Sequence, residues 1–144
     1  MTSKYWIGVA SKNHVMYGVS RGIAQTGHGK RSGIARMQKG DGIIYYSPKM
    51  TYEGNDPLHA FTAIGEIADD EIYQAEESPD FRPFRRRAQY TKTGEVKIEP
   101  LISELSFIRN KKSWGAVFRF GLLEIPKADF DHIAAAFEAG NRRE

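Results

Sequence analysis

The chain has 144 residues, enough for one domain with its own core and too few for two comfortable ones. It holds no cysteine, 40% hydrophobic and 27% charged residues, and no apolar run near the roughly 20 residues of a membrane helix, which points to a soluble, cytoplasmic protein without disulfides, thiolate catalysis or sulfur-bound zinc. The net charge of +3 is unevenly spread. Residues 1–52 carry eight basic side chains against one acid, residues 53–80 nine acids and no base, and residues 81–144 thirteen bases against eight acids. Either the two basic regions share a face and give an anionic partner a footprint, or the opposite signs pair and leave an ordinary surface.

Lys4–Ala10 is apolar almost throughout and predicts a central strand, reached with no signal sequence before it. Gly8 inside it points to close approach of another backbone or a ligand. Ser11 stands where a helix N-cap belongs, followed by His14, Val15, Met16 and Val19 on helical spacing, with Gly18 and Gly22 keeping the helix short. Residues 20–33 read as an ordered loop, and their Thr26-Gly27-His28-Gly29-Lys30 lacks the spacing of a phosphate loop. Ile34–Met37 suits one or two helical turns.

The organising stretch is 40–67. Gly40-Asp41-Gly42 signals a tight turn, Ile43–Tyr46 a buried strand ended by Ser47-Pro48, and Phe61–Ile67 a returning strand with Phe61, Ala63, Gly65 and Ile67 on one face. The loop between them, Lys49–Leu58, is expected to be mobile and exposed. Asp69–Asp80 reads as a turn and surface loop, without the spacing of a calcium site. Phe81–Tyr90 interleaves aromatics with four arginines, which suits either a nucleic-acid contact or a strand with one solvated basic face. Glu95–Glu99, Trp114–Phe120 and Leu122–Ile125 are predicted strands, and Leu101–Leu105 a helical turn. The last helix is clear: Phe130, Ile133, Ala134 and Phe137 recur at i, i+3, i+4 and i+7, with Gly140 expected to end it. Together these elements predict an α+β domain of five to seven short strands flanked by short helices, of the kind that closes into a small barrel.

Several runs of residues carry a resemblance. Tyr5-Trp6-Ile7-Gly8-Val9-Ala10-Ser11-Lys12-Asn13-His14-Val15, Gln25 with His28-Gly29-Lys30, Gly40–Pro48, Ala63–Ile67, Pro83-Phe84-Arg85-Arg86, Leu105–Ile108, Trp114-Gly115 with Phe118–Leu122, and Asp129-Phe130 resemble an EVE-domain protein, in that family's order and over essentially the whole chain. The resemblance implies a PUA-like mixed β pseudo-barrel in a single domain, similar to YTH domains, and a non-catalytic reader of a modified base in DNA or RNA, with no cofactor. It places the pocket between the ends of the first strand and of the central hairpin strand.

The pocket residues implied in this way are Trp6, Tyr46 and Trp114 as walls, with Tyr45 an alternative to Tyr46 because neighbours in a strand face opposite ways. Ser11, Asn13 and Ser47 are implied edge readers beside Pro48, and His28 a hydrogen bonder or stacker at the mouth. Lys12, Lys30, Lys49, Arg85 and Arg86 are the phosphate-binding candidates. Both tryptophans have burial in the core as their alternative role, and His28 has the ordering of its own loop. YTH domains enclose a methyl group between tryptophans, a pair with no counterpart identified here. His14, His59 and His132 have no ligand spacing, so no metal is expected. The rival functions are a sensor of a small molecule or free nucleotide in the same pocket and a nucleotide-processing enzyme. The second lacks a nucleophile–base pair, an HExxH or a Gly-x-Ser-x-Gly to support it. Neither a membrane partner nor any oligomeric state is indicated.

Overall fold

The structure, a computed structural model, describes residues 3–26 and 29–142. Its strands are β1 (Tyr5–Val9), β2 (Ile23–Ala24), β3 (Gly42–Lys49), β4 (Pro57–Ile67), β5 (Tyr73–Gln74), β6 (Phe84–Lys97) and β7 (Leu122–Ile125). The helices are α1 (Lys12–Arg21), α2 (Arg31–Ile34) and α3 (Lys127–Arg142), and 3₁₀ turns cover Glu99–Glu104 and Trp114–Phe120. The strands form one mixed sheet in the order β2-β6-β4-β3-β1-β7, with β5 also on β6, curled into the half-barrel expected. β1 runs parallel to β3 and antiparallel to β7. Parallel neighbours need a crossover, and α1, β2 and α2 supply it.

Both faces of the central strands β1, β3 and β4 are buried, which is why these read as near-continuous apolar runs. Ile7, Ile44, Tyr46, Phe61 and Ile64 face one core, closed by Ile133 and Phe137 of α3 and by Leu105, Ile108 and Phe118. Trp6, Ile43, Tyr45, Ala63 and Ile67 face a second core with Val15 of α1, Ile34 of α2 and Met37. Phe61 and Ile64 share a core although they are three residues apart in a strand. Register shifts between Phe61 and Ala63, and between Ile64 and Gly65, explain the break in alternation.

The observed elements depart from expectation at specific places. β3 continues through Pro48 to Lys49, because a register shift between Ser47 and Lys49 releases the ladder bond that proline cannot make. Loop 20–33 contains β2 and α2, and the acidic segment contains β5. Glu95–Lys97 is the end of the long β6, not a separate strand. Trp114–Phe120 is 3₁₀ rather than a strand: Trp114, Val117 and Phe118 turn to the core at i, i+3 and i+4, a helical period hidden in a β-rich composition. Helix α3 runs past Gly140. The loop after β3 is tied down rather than free, since Asn13 N–H donates to Met50 O at 3.0 Å and Met50 N–H to Asp56 O at 3.1 Å.

Gly8 has a specific cause. A Cβ there would lie 2.7 Å from Cε1 of Tyr45, so the close neighbour is a ring and not a backbone or ligand. Gly22 ends α1 in the left-handed conformation at φ 66°, donating back to Val19 O and accepting from Ala88 N–H, which turns the chain into β2 beside β6.

Candidate functional site

Where β1 runs into α1, the second core is not closed over. α1 diverges from the sheet, and a cleft of about 870 Å³ opens between β1, α1, the first half of β6 and the turn Phe118–Gly121. Tyr45 and Tyr90 lie in it with ring centroids 6.3 Å apart. Both phenols are spent on backbone: Tyr45 donates to Gln25 O at 3.0 Å and accepts from Gln25 N–H at 3.1 Å, and Tyr90 donates to Ile23 O at 2.8 Å. Burial pushes both hydroxyls above the usual phenol range, so the floor is neutral and aromatic.

One wall is polar. Arg85 on β6 donates through Nε to Gln25 Oε1 at 2.9 Å and pairs through Nη2 with Glu77, which also accepts from the Tyr17 hydroxyl of α1. Those bonds from Arg85 and then Tyr17 hold the Glu77 carboxyl below its usual range. At the start of α1, the Asn13 carboxamide oxygen accepts from the Ser11 hydroxyl at 2.7 Å, from His14 N–H at 3.0 Å and from Tyr52 N–H at 3.3 Å. Its amide NH₂ makes no hydrogen bond among the described residues and remains a donor on the cleft.

The rim is apolar and exposed. Among the described residues, three large hydrophobic side chains stand out into solvent: Tyr52 at 49%, Phe81 at 39% and Phe120 at 81%. All three line this cleft. Tyr52 stacks on His14 with centroids 5.1 Å apart and planes at 20°.

The structure brings some of the sequence-derived residues here and takes others away. Ser11, Asn13 and Arg85 line the cleft. Trp6 does not: it is 1% exposed, its indole N–H donates to Asp41 Oδ2 at 2.9 Å, and the same carboxylate accepts from Lys4 and Gln38 N–H groups. Tyr46 lies on the opposite face, stacked on Phe118 at 4.0 Å. Ser47 is fully buried against Thr62, hydroxyl to hydroxyl at 2.8 Å. Pro48 is not on the cleft wall, and Trp114 packs edge-on to His59 beside the first core. His28 lies outside the described residues.

Among the phosphate candidates, Lys12 is paired with Glu95 at 2.6 Å and Lys49 donates to Tyr52 O at 2.6 Å. Arg86 is buried and donates to Ile34 O at 2.7 Å. Lys30 is exposed beside a smaller neighbouring groove. Part of the acidic segment serves the arginine run at the start of β6 and just before it: Glu76 pairs with Arg82, Glu77 with Arg85, and Asp69 and Glu71 with Arg87. Pairing thus accounts for part of the acidic segment and for the arginine run after it, but not for the basic first third, where Lys12 alone among the described residues has a carboxylate partner. Sequence reasoning missed Tyr17, Glu77, Phe81, Tyr90 and Phe120 as cleft residues. The signal for Phe81 was its place in an aromatic-and-arginine run, and that for Phe120 was an aromatic set beside the chain-turning Gly121.

Comparison with known proteins agrees with this architecture. The EVE-domain family model matches residues 4–136. A UPF0310 protein of Mycolicibacterium vanbaalenii is 45% identical over 131 residues, covering 91% of this chain and 90% of that protein, and one of Bacillus licheniformis is 46% identical over 123 residues, covering 85% and 84%. Among solved structures, the YTH domain of the Zygosaccharomyces rouxii MRB1 protein in complex with N6-methyladenosine RNA superposes with a TM-score of 0.60 at 16% identity, over 94% of this chain and 86% of that one. The Mmi1 YTH domain in complex with RNA gives 0.64 at 10% identity, over 98% and 81%. These structural likenesses establish a shared fold.

Proposed function

The chain belongs to the EVE-domain family, and from that premise we propose that it is a non-catalytic nucleic-acid-binding domain that takes a modified base of DNA or RNA into the cleft between β1, α1 and β6. The carrying observation is that all three exposed large aromatics of the described residues surround one cleft with a neutral tyrosine floor. A flipped base needs flat apolar walls and a few fixed hydrogen-bonding groups. Phe81, Phe120 and the Tyr45–Tyr90 floor supply the walls. Asn13 NH₂ and the Arg85–Glu77 pair supply donors and an acceptor for a base edge. The volume lies in the range of ordinary ligand sites, and the YTH neighbour in complex with N6-methyladenosine RNA supports a modified base as its occupant.

A second reading, a sensor of a free modified nucleoside or other small molecule, draws support from the pairing of Lys12 with Glu95 and of Arg85 with Glu77, which leaves fewer free cations for a strand. Fluorescence anisotropy separates the two. Short single and double strands, plain or carrying methylated or hydroxymethylated cytosine or methylated adenine, are titrated at two salt concentrations. A reader prefers one modified strand over its plain counterpart and loses affinity steeply with salt. Binding of the free nucleoside alone, with a shallow salt slope, overturns the reader in favour of the sensor.

A further inference from the structure

Beyond Phe120 and Gly121, a second groove of about 250 Å³ lies between α2 and the start of β7. It shares Thr26, Phe120 and Gly121 with the cleft, so the two hollows are continuous along one wall. Lys30, Ser32 and Arg36 line it, and neither cation has a carboxylate partner among the described residues. Arg36 is held in place over the Trp6 ring, its guanidinium carbon 5.0 Å from the centroid.

Two further features of this groove are unpartnered among the described residues. Thr26 is 6% exposed, and its buried hydroxyl oxygen has no hydrogen-bond partner among them. Buried hydroxyls are nearly always satisfied, so an orphan at the wall of two hollows marks a place for a ligand atom. Phe120 projects between the hollows, 81% exposed, where it gains nothing from the core. An anion-seeking pair of cations, an unsatisfied hydroxyl and a free flat ring match the parts of one nucleotide.

We propose that this groove holds the nucleotide adjacent to the one whose base enters the cleft. Lys30 and Arg36 bind its phosphate, the Thr26 hydroxyl donates to a phosphate or sugar oxygen at the shared wall, and Phe120 stacks on its base. The proposal rests on the nucleic-acid reading of the cleft and adds to it the path of the strand. It also makes the domain a reader of at least a dinucleotide, with the second base chosen by stacking and not by its edge.

The test uses calorimetry on the full chain with the modified nucleoside that the strand panel identifies, and with the two dinucleotides that extend it by one plain nucleotide on the 5′ or the 3′ side. One of the extended ligands is expected to bind about tenfold more tightly than the nucleoside, and Phe120→Ala, Lys30→Ala and Thr26→Val are each expected to erase a several-fold share of that gain. Lys30→Ala, at a residue outside the cleft, leaves nucleoside affinity within twofold, while Phe120→Ala and Thr26→Val, which also touch the cleft, lower dinucleotide affinity by more than they lower nucleoside affinity. Phe120 and Lys30 are exposed, so their loss does not endanger the fold. No gain from either extension, or equal losses on nucleoside and dinucleotide, overturns the second subsite while the cleft reading stands. Failure of the wild-type chain to bind any modified nucleoside or strand sinks the cleft reading and this one with it.

Discussion

Tyr45 and Tyr46 are adjacent in β3 and equally buried, yet they face different worlds. Tyr46 stacks on Phe118 at 4.0 Å, in the core that α3 covers. Tyr45 sits in a core that α1 and α2 cover only in part, so its ring is both packing and the floor of an open cleft. The difference comes from the covering helices. α3 is 16 residues long and amphipathic, while α1 has 10 residues and is cut short at Gly22, and α2 has four. A sheet with two apolar faces and unequal cover has a hollow on the poorly covered side. The closed face holds the domain together and the open one is available for a ligand.

The sharpest way to break this contrast is a deep truncation on the closed face. Phe137→Ala removes a ring that is nearly inaccessible in the α3 core and is expected to cost about 3–5 kcal/mol, read as a fall in the denaturation midpoint. The rim residue Phe120, truncated in the same way, is expected to shift stability by less than about 0.5 kcal/mol. Comparable losses at both sites would mean that the cleft rim is part of the core and that the two faces are not functionally divided.

Gly8→Val tests the floor. The added methyls meet the Tyr45 ring, since a Cβ alone would already be 2.7 Å from it. Overpacking of this kind costs about 1–3 kcal/mol, and the displaced ring fills the cleft, so ligand binding is expected to fall more than stability does. Retained binding at lowered stability would show that the ring does not bear on the ligand.

Alkaline titration probes the buried tyrosines of both faces, since burial raises the Tyr46 hydroxyl as well. The hydroxyls of Tyr45 and Tyr90 are raised by burial above their ordinary value of 10.0. A folded-state pKa above the unfolded one contributes stability that is complete below pH 10 and lost as pH rises through that value toward the folded pKa. Denaturation midpoints are therefore expected to drop above pH 10, with the phenolate absorbance of these buried tyrosines appearing together with unfolding. The Tyr45→Phe variant should show a smaller drop. It should also be less stable at neutral pH by about 1–2 kcal/mol, because the backbone N–H and C=O of Gln25 both lose the Tyr45 hydroxyl.

How much of this was legible follows from period and pairing. The apolar run of β3, the alternation of Phe61–Ile67 and the i, i+3, i+4, i+7 spacing of α3 encode the strand hairpin and the α3 core locally, so both were readable. The family likeness implied a mixed sheet, which local patterns cannot show, and the structure places its parallel pair at β1 and β3. The cleft was only half readable. Ser11 and Asn13 mark the strand–helix junction in any such chain, but whether an aromatic faces the cleft or the core depends on which helix covers it. Trp6 looked like a wall until Asp41, 35 residues away, claimed its indole. Arg85 and Arg86 looked alike in sequence, and only the path of β6 sends one to the cleft and the other beneath α2. The carboxylates that pair with the arginine run lie 6 to 18 residues before their partners and reach them through a strand of two residues, β5, that no periodicity announces.

Glu77→Gln has the smallest expected effect on stability and bears most directly on whether the open face is a strand-binding face. Glu77 is partly exposed and its pair with Arg85 is of the kind worth at most about 1 kcal/mol, so the variant is expected to melt within a few degrees of the parent. Its carboxyl titrates below the ordinary 4.5, and whatever stability the pair supplies is present above that value and fades as the pH falls through the lowered one. The variant should lack that acid-side loss. Its effect on binding should be larger. With the carboxylate gone, Arg85 keeps Gln25 as an anchor and its charge is no longer cancelled at the cleft wall. A strand that brings phosphates to this wall gains affinity from the change, and its salt slope steepens by about one. A neutral nucleoside that uses Glu77 as an acceptor loses affinity instead. The sign of one substitution thus tells which part of the ligand lies against Arg85, the backbone or the base.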